Sequence, residues 1–409
     1  MGMGPLHDIK VLDLSRILAG PWATQCLADF GATVWKIEKP GAGDDTRQWG
    51  PPWIADAKGK PTGDAAYFAS ANRGKQSIAI DFTKAAGQQL IRSLAMRADV
   101  VIENFKVGTL AKYRLDYAAL RGVNPQIIYC SISAFGQDGP AKDEPGYDAM
   151  IQAMSGLMSI TGVPDGEPGA GPVKVGVAVS DLITGLYAVA AITAALHERE
   201  HSGRGQYIDL ALLDTQVAAL ANQNLNYLMT GKPPARRGTA HPNIVPYQAF
   251  ATKDGYMMLA VGNDRQFAAF CAAAGRAALS KDKRFRTNAG RVKYRSALIP
   301  MIDTLCRRKP TRTWLRLLAK AGIPCGPIND LAQVFRDPQV VHRKLRFKLL
   351  HGAGGRIPQV RNPVLYSRTT LDYERPPPVL GEHTSEVLAA ELGLTAGEIM
   401  SLKADAVIC

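Results

Sequence analysis

The sequence lacks the short motifs that mark the commonest nucleotide-dependent and hydrolytic enzymes. It has no Walker loop, no GxSxG, no HExxH, and no GxGxxG placed between a strand and a helix. Its six cysteines form no CxxC pair and stand near no histidine pair, which disfavours a structural zinc site. The missing motifs therefore disfavour hydrolases and nicotinamide-dependent enzymes. Unpaired cysteines of this kind are typical of reduced thiols in the cytoplasm.

Long apolar runs are also missing. The longest, Leu182 to Leu196, is interrupted by Thr, Gly and Tyr and falls short of the roughly 20 residues that a membrane span needs. It predicts a buried helix and no membrane partner. The first residues, MGMGPLHDIKVLDL, show neither a signal-peptide nor a transit-peptide pattern, so export is not expected.

The charge balance is strongly basic, with a formal net charge of +13. Such a surface attracts polyanions, which include nucleic acids and phosphorylated small molecules. Basic residues are densest between Arg276 and Arg316, but no basic and aromatic strip accompanies them. We expect no nucleic-acid partner, although a basic nucleic-acid-binding protein remains an alternative.

The order of segments predicts an α/β protein with two domains, since 409 residues exceed what one core usually supports. Up to about residue 135, β-branched runs such as IKVLDL, TVWKIEKP and VVIENF alternate with helical stretches, including 84–98 and 107–121. This rhythm is typical of a largely parallel sheet with helices on both faces. We place a large lobe at 1–226, a small α+β domain with a DG hairpin at 227–328, and a C-terminal segment at 329–409 that returns to the large lobe. That segment is expected to end in a final helix from Thr384.

Basic residues stand near the ends of several predicted strands: Lys36, Lys39, Arg47 and Lys112, with Asn104 closing another strand. Taken singly, each is more simply a solvated surface residue. Together they could hold the separated phosphates of a ligand at the carboxyl edge of the sheet, where α/β proteins bind ligands.

Two helix starts carry carboxylates. Asp181 precedes the apolar run, and Tyr147 and Asp148 begin another helical stretch. By position, Ser180 or Asp181 is most simply a helix cap, and Asp148 is most simply a cap of the other helix. A carboxylate beside helix N–H groups is also kept ionised, which suits a nucleophile. Among the histidines, only His241 stands in a loop-like setting that suggests a site, and a structural or surface role is its simpler interpretation.

Six segments resemble the family III CoA-transferases, which also include carnitine-CoA transferases and α-methylacyl-CoA racemases. They are VLDLSRILAGPWATQCLADFGATVWKIEKPGAGDDTR, NRGKQSIAID, ADVVIENFKVGTL, GYDAMIQAMSGLM, SDLITGLYA and SGRGQYIDLALLD. The resemblance covers nearly the whole chain. It implies a Rossmann-like large lobe, a small α+β domain and an interlocked homodimer.

The resemblance also assigns site residues. The acyl-carrying aspartate falls on Asp181, which replaces helix capping as the expected role. The positions that correspond to CoA contacts are Leu18, Ala19, Lys39, Ile80, Asp81, Phe82, Thr83, Asn104, Phe105, Lys106 and Lys112. CoA and acyl-CoA enter as substrates, so the resemblance implies no prosthetic group and no metal.

Within the family, the motifs WGPPW, GTAHPNIVPYQAF, GPIND and RPPPVLGEHT are most similar to members that transfer CoA from succinyl-CoA to glutarate. A dicarboxylate acceptor needs a cation for its distal carboxylate, and Arg236, Arg237 and His241 are the candidates. Racemase relatives carry a His where this chain has Tyr147. Without that imidazole, proton exchange at the α-carbon lacks one catalyst, so transfer is favoured over the alternative, a 2-methylacyl-CoA racemase.

Overall fold

The computed structural model describes residues 4–409, so the first three residues of the predicted large lobe lie outside the described part. It contains two compact units. The large unit comprises residues 4–157, 174–232 and 343–409, and the small unit comprises 158–173 and 233–342. The predicted boundaries, 226/227 and 328/329, therefore differ from those of the structure. Residues 158–173 join the small unit because their backbone bonds to it: Gly162 O accepts from Gly238 N at 3.0 Å, and Val163 O accepts from Arg236 Nε at 3.2 Å.

Strands and helices alternate along the first part of the chain, as far as the start of the small unit. In chain order they are β1 (Lys10–Asp13), α1 (Ala19–Asp29), β2 (Thr33–Glu38), β3 (Trp53–Ala55), β4 (Pro61–Ala65), α2 (Ala66–Ala71), β5 (Lys75–Ala79), α3 (Ala85–Ala95), β6 (Val100–Glu103), α4 (Tyr117–Val123), β7 (Ile128–Ser133), α5 (Asp148–Met154), α6 (Leu157–Ile160), α7 (Val179–Ser202), β8 (Tyr207–Ala211), α8 (Leu212–Ala219) and α9 (Asn222–Thr230). Short 3₁₀ helices lie at Asp45–Gln48 and Leu110–Tyr113.

The large unit is built on a six-stranded sheet in which every pairing is parallel, in the order β5-β2-β1-β6-β7-β8. Successive residues of each strand enter opposite cores, as the pleat requires. On β1, for example, Val11 packs in the core with α1 and α7, whereas Leu12 packs in the core with α3 and α4. The predicted α/β class with a parallel sheet is confirmed.

Two predicted helices differ from the structure. The stretch 107–121 is not one helix, because Arg114 takes a left-handed φ of 53° and separates the 3₁₀ helix from α4. The apolar run is part of the 24-residue α7, which is long and apolar enough to cross a membrane by length and composition alone. The prediction that this segment is too short for a membrane span was therefore wrong, because the helix extends beyond the apolar run on both sides. In the structure one face of α7, including Thr184, Ala188 and Ile192, is buried against α1 and α8.

The small unit is an α+β body with an antiparallel three-stranded sheet covered by helices, in the strand order β11 (Cys325–Pro327), β10 (Tyr256–Ala260), β9 (Tyr247–Ala251). The predicted DG hairpin is confirmed as β9 paired with β10. The elements are β9 (Tyr247–Ala251), β10 (Tyr256–Ala260), α10 (Asp264–Ala273), a 3₁₀ helix (Ala277–Lys281), α11 (Asn288–Lys293), α12 (Arg295–Cys306), α13 (Thr311–Lys320), β11 (Cys325–Pro327), α14 (Leu331–Val334) and α15 (Pro338–His342).

The C-terminal segment completes the large unit. It contains the hairpin β12 (Arg346–Leu350) and β13 (Arg356–Val360), then α16 (Thr384–Leu392) and α17 (Ala396–Ala404). The predicted helix start at Thr384 is confirmed, but α16 is not the final helix. Residues after α17 reach back to the sheet, where Ile408 forms an antiparallel bridge with Ile80.

Candidate active site

A cavity of about 220 Å³ opens in the large unit at the carboxyl ends of β1, β6 and β7. Strand order reverses between β1 and β6, and the crevice at such a switch point is where open α/β sheets bind ligands. The loops after these strands supply much of the wall. The lining residues are Arg16–Ala19, Asn104–Val107, Ile132–Ala134, Lys142, Glu144–Tyr147, Asp181 and Leu212.

Seven of the residues that the resemblance singled out line this one cavity: Leu18, Ala19, Asn104, Phe105, Lys106, Tyr147 and Asp181. The sequence positions are far apart, so the fold alone brings them together. Leu18 and Ala19 are nearly buried, at 7% and 3% exposed, whereas Tyr147 is 62% exposed.

The other predicted CoA positions lie outside the cavity wall. Ile80 is buried in the sheet, and Asp81 N donates to Val407 O at 2.8 Å. The Asp81 carboxylate accepts from the backbone N–H and hydroxyl of Thr83. Phe82 connects this loop to the cavity, because its ring packs edge-on against Phe105 at 5.6 Å between centroids. Lys39 and Lys112 are exposed side chains.

Two of the basic residues proposed at strand ends are not available to a ligand. Lys36 is fully buried, with its Nζ 2.9 Å from Asp44 and 3.0 Å from Ser15 O. Arg47 is 3% exposed and pairs with Glu38 at 2.7 Å and with Asp64 at 3.0 Å. The prediction that they hold phosphates was wrong, because buried charges are stable only when paired, and here the partners come from the protein itself.

Asp181 lies in the first turn of α7 without capping it. The helix begins at Val179 after Ala178, and no side chain caps it. The hydroxyl of Ser180 donates to Gln216 at 2.8 Å, so the capping alternative fails for both residues. Within residues 4–409, the Asp181 carboxylate makes no hydrogen bond and no ion pair. A carboxylate in this state is available to a ligand in the cavity.

Burial, and then the nearby negative charge of Asp148, raise the pKa of Asp181 to about 7. Among the described residues, no cation offsets either effect. An ionised Asp181 is consequently a stronger base and nucleophile than a solvated aspartate, and its charged fraction changes near neutral pH.

Asp148 holds the start of α7. One carboxylate oxygen accepts from Ser180 N at 2.8 Å, and the other accepts from Gln152 Nε2 at 2.7 Å. The carbonyl oxygen of the Gln152 amide in turn accepts from Val175 N at 2.8 Å. The sequence offered Asp148 only as a helix cap. The sole signal in the sequence for its proximity to Asp181 is that both carboxylates begin helices.

A close approach of α1 and α7 brings the Leu18–Ala19 segment to Asp181. Gly185, one turn after Asp181, has space for no side chain, because an added Cβ would lie 2.8 Å from Ala19 O. Glycine at this position thus lets the two helix starts meet.

A second buried carboxylate, which the sequence did not single out, fixes the loop after β6. Glu103 accepts from Phe105 N at 2.8 Å and from the hydroxyl of Ser131. Burial raises the pKa of Glu103 to about 7, although the hydrogen bonds from Ser131 and Phe105 oppose the shift.

The predicted acceptor residues belong to the small unit. Arg236 pairs with Asp165 and donates to Val163 O. His241 stacks on Tyr247 at 5.3 Å, and burial together with Arg295 lowers its pKa. Arg237 is exposed. None of the three lines the cavity that contains Asp181.

Comparisons with known proteins point to one family over nearly the whole chain. A sequence model described as CoA-transferase family III matches residues 6–384. A succinate–glutarate CoA-transferase of Agrobacterium fabrum is 52% identical over 385 residues, which cover 94% of this chain and 95% of that protein. A succinyl-CoA:glutarate CoA-transferase of Homo sapiens is 43% identical over 97% of this chain and 89% of its own length. The crystal structure of a CaiB/BaiF family protein from Brucella suis is 47% identical, with a TM-score of 0.83 over 96% of this chain and 100% of that one.

Proposed function

The chain belongs to CoA-transferase family III and is a CoA-transferase, and from this premise we propose that it moves CoA from succinyl-CoA to glutarate through intermediates on Asp181. One observation carries the proposal. Asp181 is a carboxylate that has no partner within residues 4–409, with its pKa raised to about 7, in a cavity that Leu18, Ala19 and the 104–106 loop also line. The names of the relatives supply the substrates.

In the proposed reaction, the ionised Asp181 attacks the thioester carbonyl of succinyl-CoA. The C–S bond breaks, which gives a succinyl–aspartyl anhydride and the CoA thiolate. The thiolate then attacks the aspartyl carbonyl, which releases succinate and leaves a CoA thioester on Asp181. Glutarate opens this thioester through a second anhydride, and the thiolate takes the glutaryl group to form glutaryl-CoA and restore Asp181.

Each acyl transfer passes through a tetrahedral oxyanion that needs hydrogen-bond donors. The start of α1 can supply them, because Leu18 provides no side-chain cap for the first N–H groups of the helix. The closeness of Gly185 to Ala19 O keeps this helix start beside Asp181. We propose that Lys106, Lys39 and Lys112 hold the phosphates of CoA.

The distal carboxylate of glutarate needs a cation. We favour Lys142, because it lines the cavity with Asp181. Arg236, Arg237 and His241 stay sequence predictions for this role, and Arg236 already pairs with Asp165. Tyr147, which begins α5 at the cavity, offers a phenol and no imidazole, and this favours transfer over racemisation.

The test is to mix the purified protein with succinyl-CoA and glutarate and to follow succinate and glutaryl-CoA by mass spectrometry. We expect equimolar products and ping-pong kinetics, because the donor acid leaves before the acceptor binds. A 2-methylacyl-CoA incubated in heavy water should exchange no α-hydrogen. Rapid exchange without transfer would instead identify a racemase, and a salt-dependent gel shift with DNA or RNA, without stabilisation by CoA, would favour a nucleic-acid-binding protein.

We also propose an interlocked homodimer. Its support is a set of large apolar side chains exposed on three helices of the large unit: Met154 of α5 is 55% exposed, Leu186 of α7 is 55% exposed, and Met229 of α9 is 81% exposed. Monomeric proteins rarely expose so many large apolar side chains together.

Light scattering should give twice the mass of the chain. Because linked chains cannot separate while folded, tagged and untagged dimers should form no mixed dimer on dilution and mixing, but should do so after unfolding and refolding together. A monomeric mass, or exchange within minutes in native buffer, contradicts the interlocked dimer. The cytoplasmic location stays a prediction from the sequence.

A further inference from the structure

Three side chains from separate segments hold the main chain of residues 15–17, which we term the clamped turn. Lys36 donates to Ser15 O at 3.0 Å, and the Asp44 carboxylate accepts from Ile17 N at 3.2 and 3.3 Å. Asn104 accepts from Arg16 N at 2.8 Å and donates to Arg16 O at 2.7 Å. The turn between β1 and α1 is therefore fixed on both sides.

The clamped turn places Ile17 in an unfavourable backbone conformation. Its φ is 71°, in the left-handed region that glycine adopts freely and that β-branched residues avoid. The compensating contacts are strong, since the side chains of Lys36 and Asp44 are fully buried and 2.9 Å apart. Strain of this kind, held in place by its surroundings, is concentrated at functional sites.

Glycine would satisfy the backbone here without strain, so what isoleucine adds is its side chain. Ile17 lines the cavity that contains Asp181. It comes two residues before Ala19, whose carbonyl oxygen meets α7 one turn beyond Asp181. Together with Leu18, Ile17 forms an apolar part of the wall of the cavity that contains Asp181.

We propose that the Ile17 side chain covers the acyl intermediates on Asp181 and keeps water from them. The inference rests on the proposed function. Water that reaches the aspartyl–CoA thioester would form a C–O bond to the aspartyl carbonyl and break the C–S bond. The thiolate would take a proton to leave as free CoA thiol, and Asp181 would be restored. Water that opens the anhydride would likewise give two carboxylic acids. Both reactions convert transfer into hydrolysis of succinyl-CoA.

The experiment compares Ile17→Gly and Ile17→Val with the unchanged protein. Two rates are measured by chromatography: glutaryl-CoA formed with glutarate, and free CoA released from succinyl-CoA without an acceptor. Ile17→Gly should keep or raise the melting temperature, because the strain is removed, and should raise the ratio of hydrolysis to transfer at least tenfold. Ile17→Val keeps an apolar branched side chain and should leave the ratio within about twofold.

Lys344→Gly is the matched control, since Lys344 is an exposed residue of the large unit with a φ of 51°. It should change the melting temperature as Ile17→Gly does, with no change in the ratio. An unchanged ratio in folded Ile17→Gly, or a parallel fall in both rates, overturns the proposal. Failure of the unchanged protein to transfer CoA to any acid would overturn the proposed function instead, so the two failures are distinguishable.

Discussion

Asp181→Asn should lower CoA transfer by roughly 10⁴-fold or more and, at pH 8, make the protein more stable. The loss follows because an amide of the same shape cannot attack a thioester or carry CoA. Steady-state transfer from succinyl-CoA to glutarate measures it. Incubation of the unchanged protein with succinyl-CoA, followed by rapid denaturation, should yield a CoA adduct on the peptide that contains Asp181, and the variant should yield none.

The gain in stability follows from the pKa of Asp181, which rises from the usual 3.8 to about 7 in the fold. The folded state therefore favours the neutral acid, and ionisation costs stability as pH rises from about 4 through 7. An amide removes this cost, on the order of 4 kcal/mol at pH 8. The difference in melting temperature between variant and unchanged protein should grow across that window and vanish near pH 4.

The matched control is Asp214→Asn, because Asp214 is an exposed acidic residue in the first turn of α8. It should leave transfer unchanged and give no stability gain that follows the pH window of Asp181. Asp181→Ala guards against deamidation of the asparagine back to aspartate. Full transfer by Asp181→Ala would show that another group carries the acyl chain.

The activity of the unchanged protein should rise with pH through an apparent pKa near 7, since only ionised Asp181 attacks the thioester. Asp148→Asn should move this rise to lower pH, because the variant removes the negative charge that adds to burial in raising the pKa of Asp181. The pH profile of kcat/KM with succinyl-CoA measures the displacement. Ionisations of the substrate are common to both proteins and serve as an internal control.

Asp148→Asn should also reduce the plateau activity about tenfold, because Asp148 fixes the start of α7. The new amide can still accept from Ser180 N, but its NH₂ group would face the donating Nε2 of Gln152. Rotation of Gln152 offers no relief, since its oxygen already accepts from Val175 N. If activity rose at the same pH in both proteins, Asp181 would not be the group that governs the rise.

Patterns within short segments sufficed for much of the fold. Alternating β-branched and helical stretches predicted the parallel sheet, because strands buried on both faces read as short apolar runs. The DG pair predicted the β9–β10 hairpin through its turn geometry. A pattern that ignores backbone conformation could not show the break at Arg114, whose left-handed φ is set by the surrounding structure.

The site was less accessible to sequence reasoning because its chemistry depends on partners far along the chain. Lys36 looked like a phosphate ligand, and only the fold shows that Asp44 and Ser15 O occupy it. The interaction between Asp148 and the α7 start joins residues 32 positions apart and leaves no local pattern. The family resemblance supplied Asp181, whereas the position and spacing of residues alone favoured a helix cap.

The contacts that α16 and α17 make with α3 have a consequence for how the large unit folds. Lys84 donates to the carbonyl oxygens of Asp405 and Ala406, the first of them 321 positions away, and Val387, Leu388 and Ile399 fill the same core as Leu90 and Ile91 of α3. During synthesis, the part of α3 that contacts these residues stays uncovered until α16 and α17 have left the ribosome. The core of the large unit therefore cannot close until residues 384–408 have been made, and its exposed apolar side chains are prone to aggregation before then.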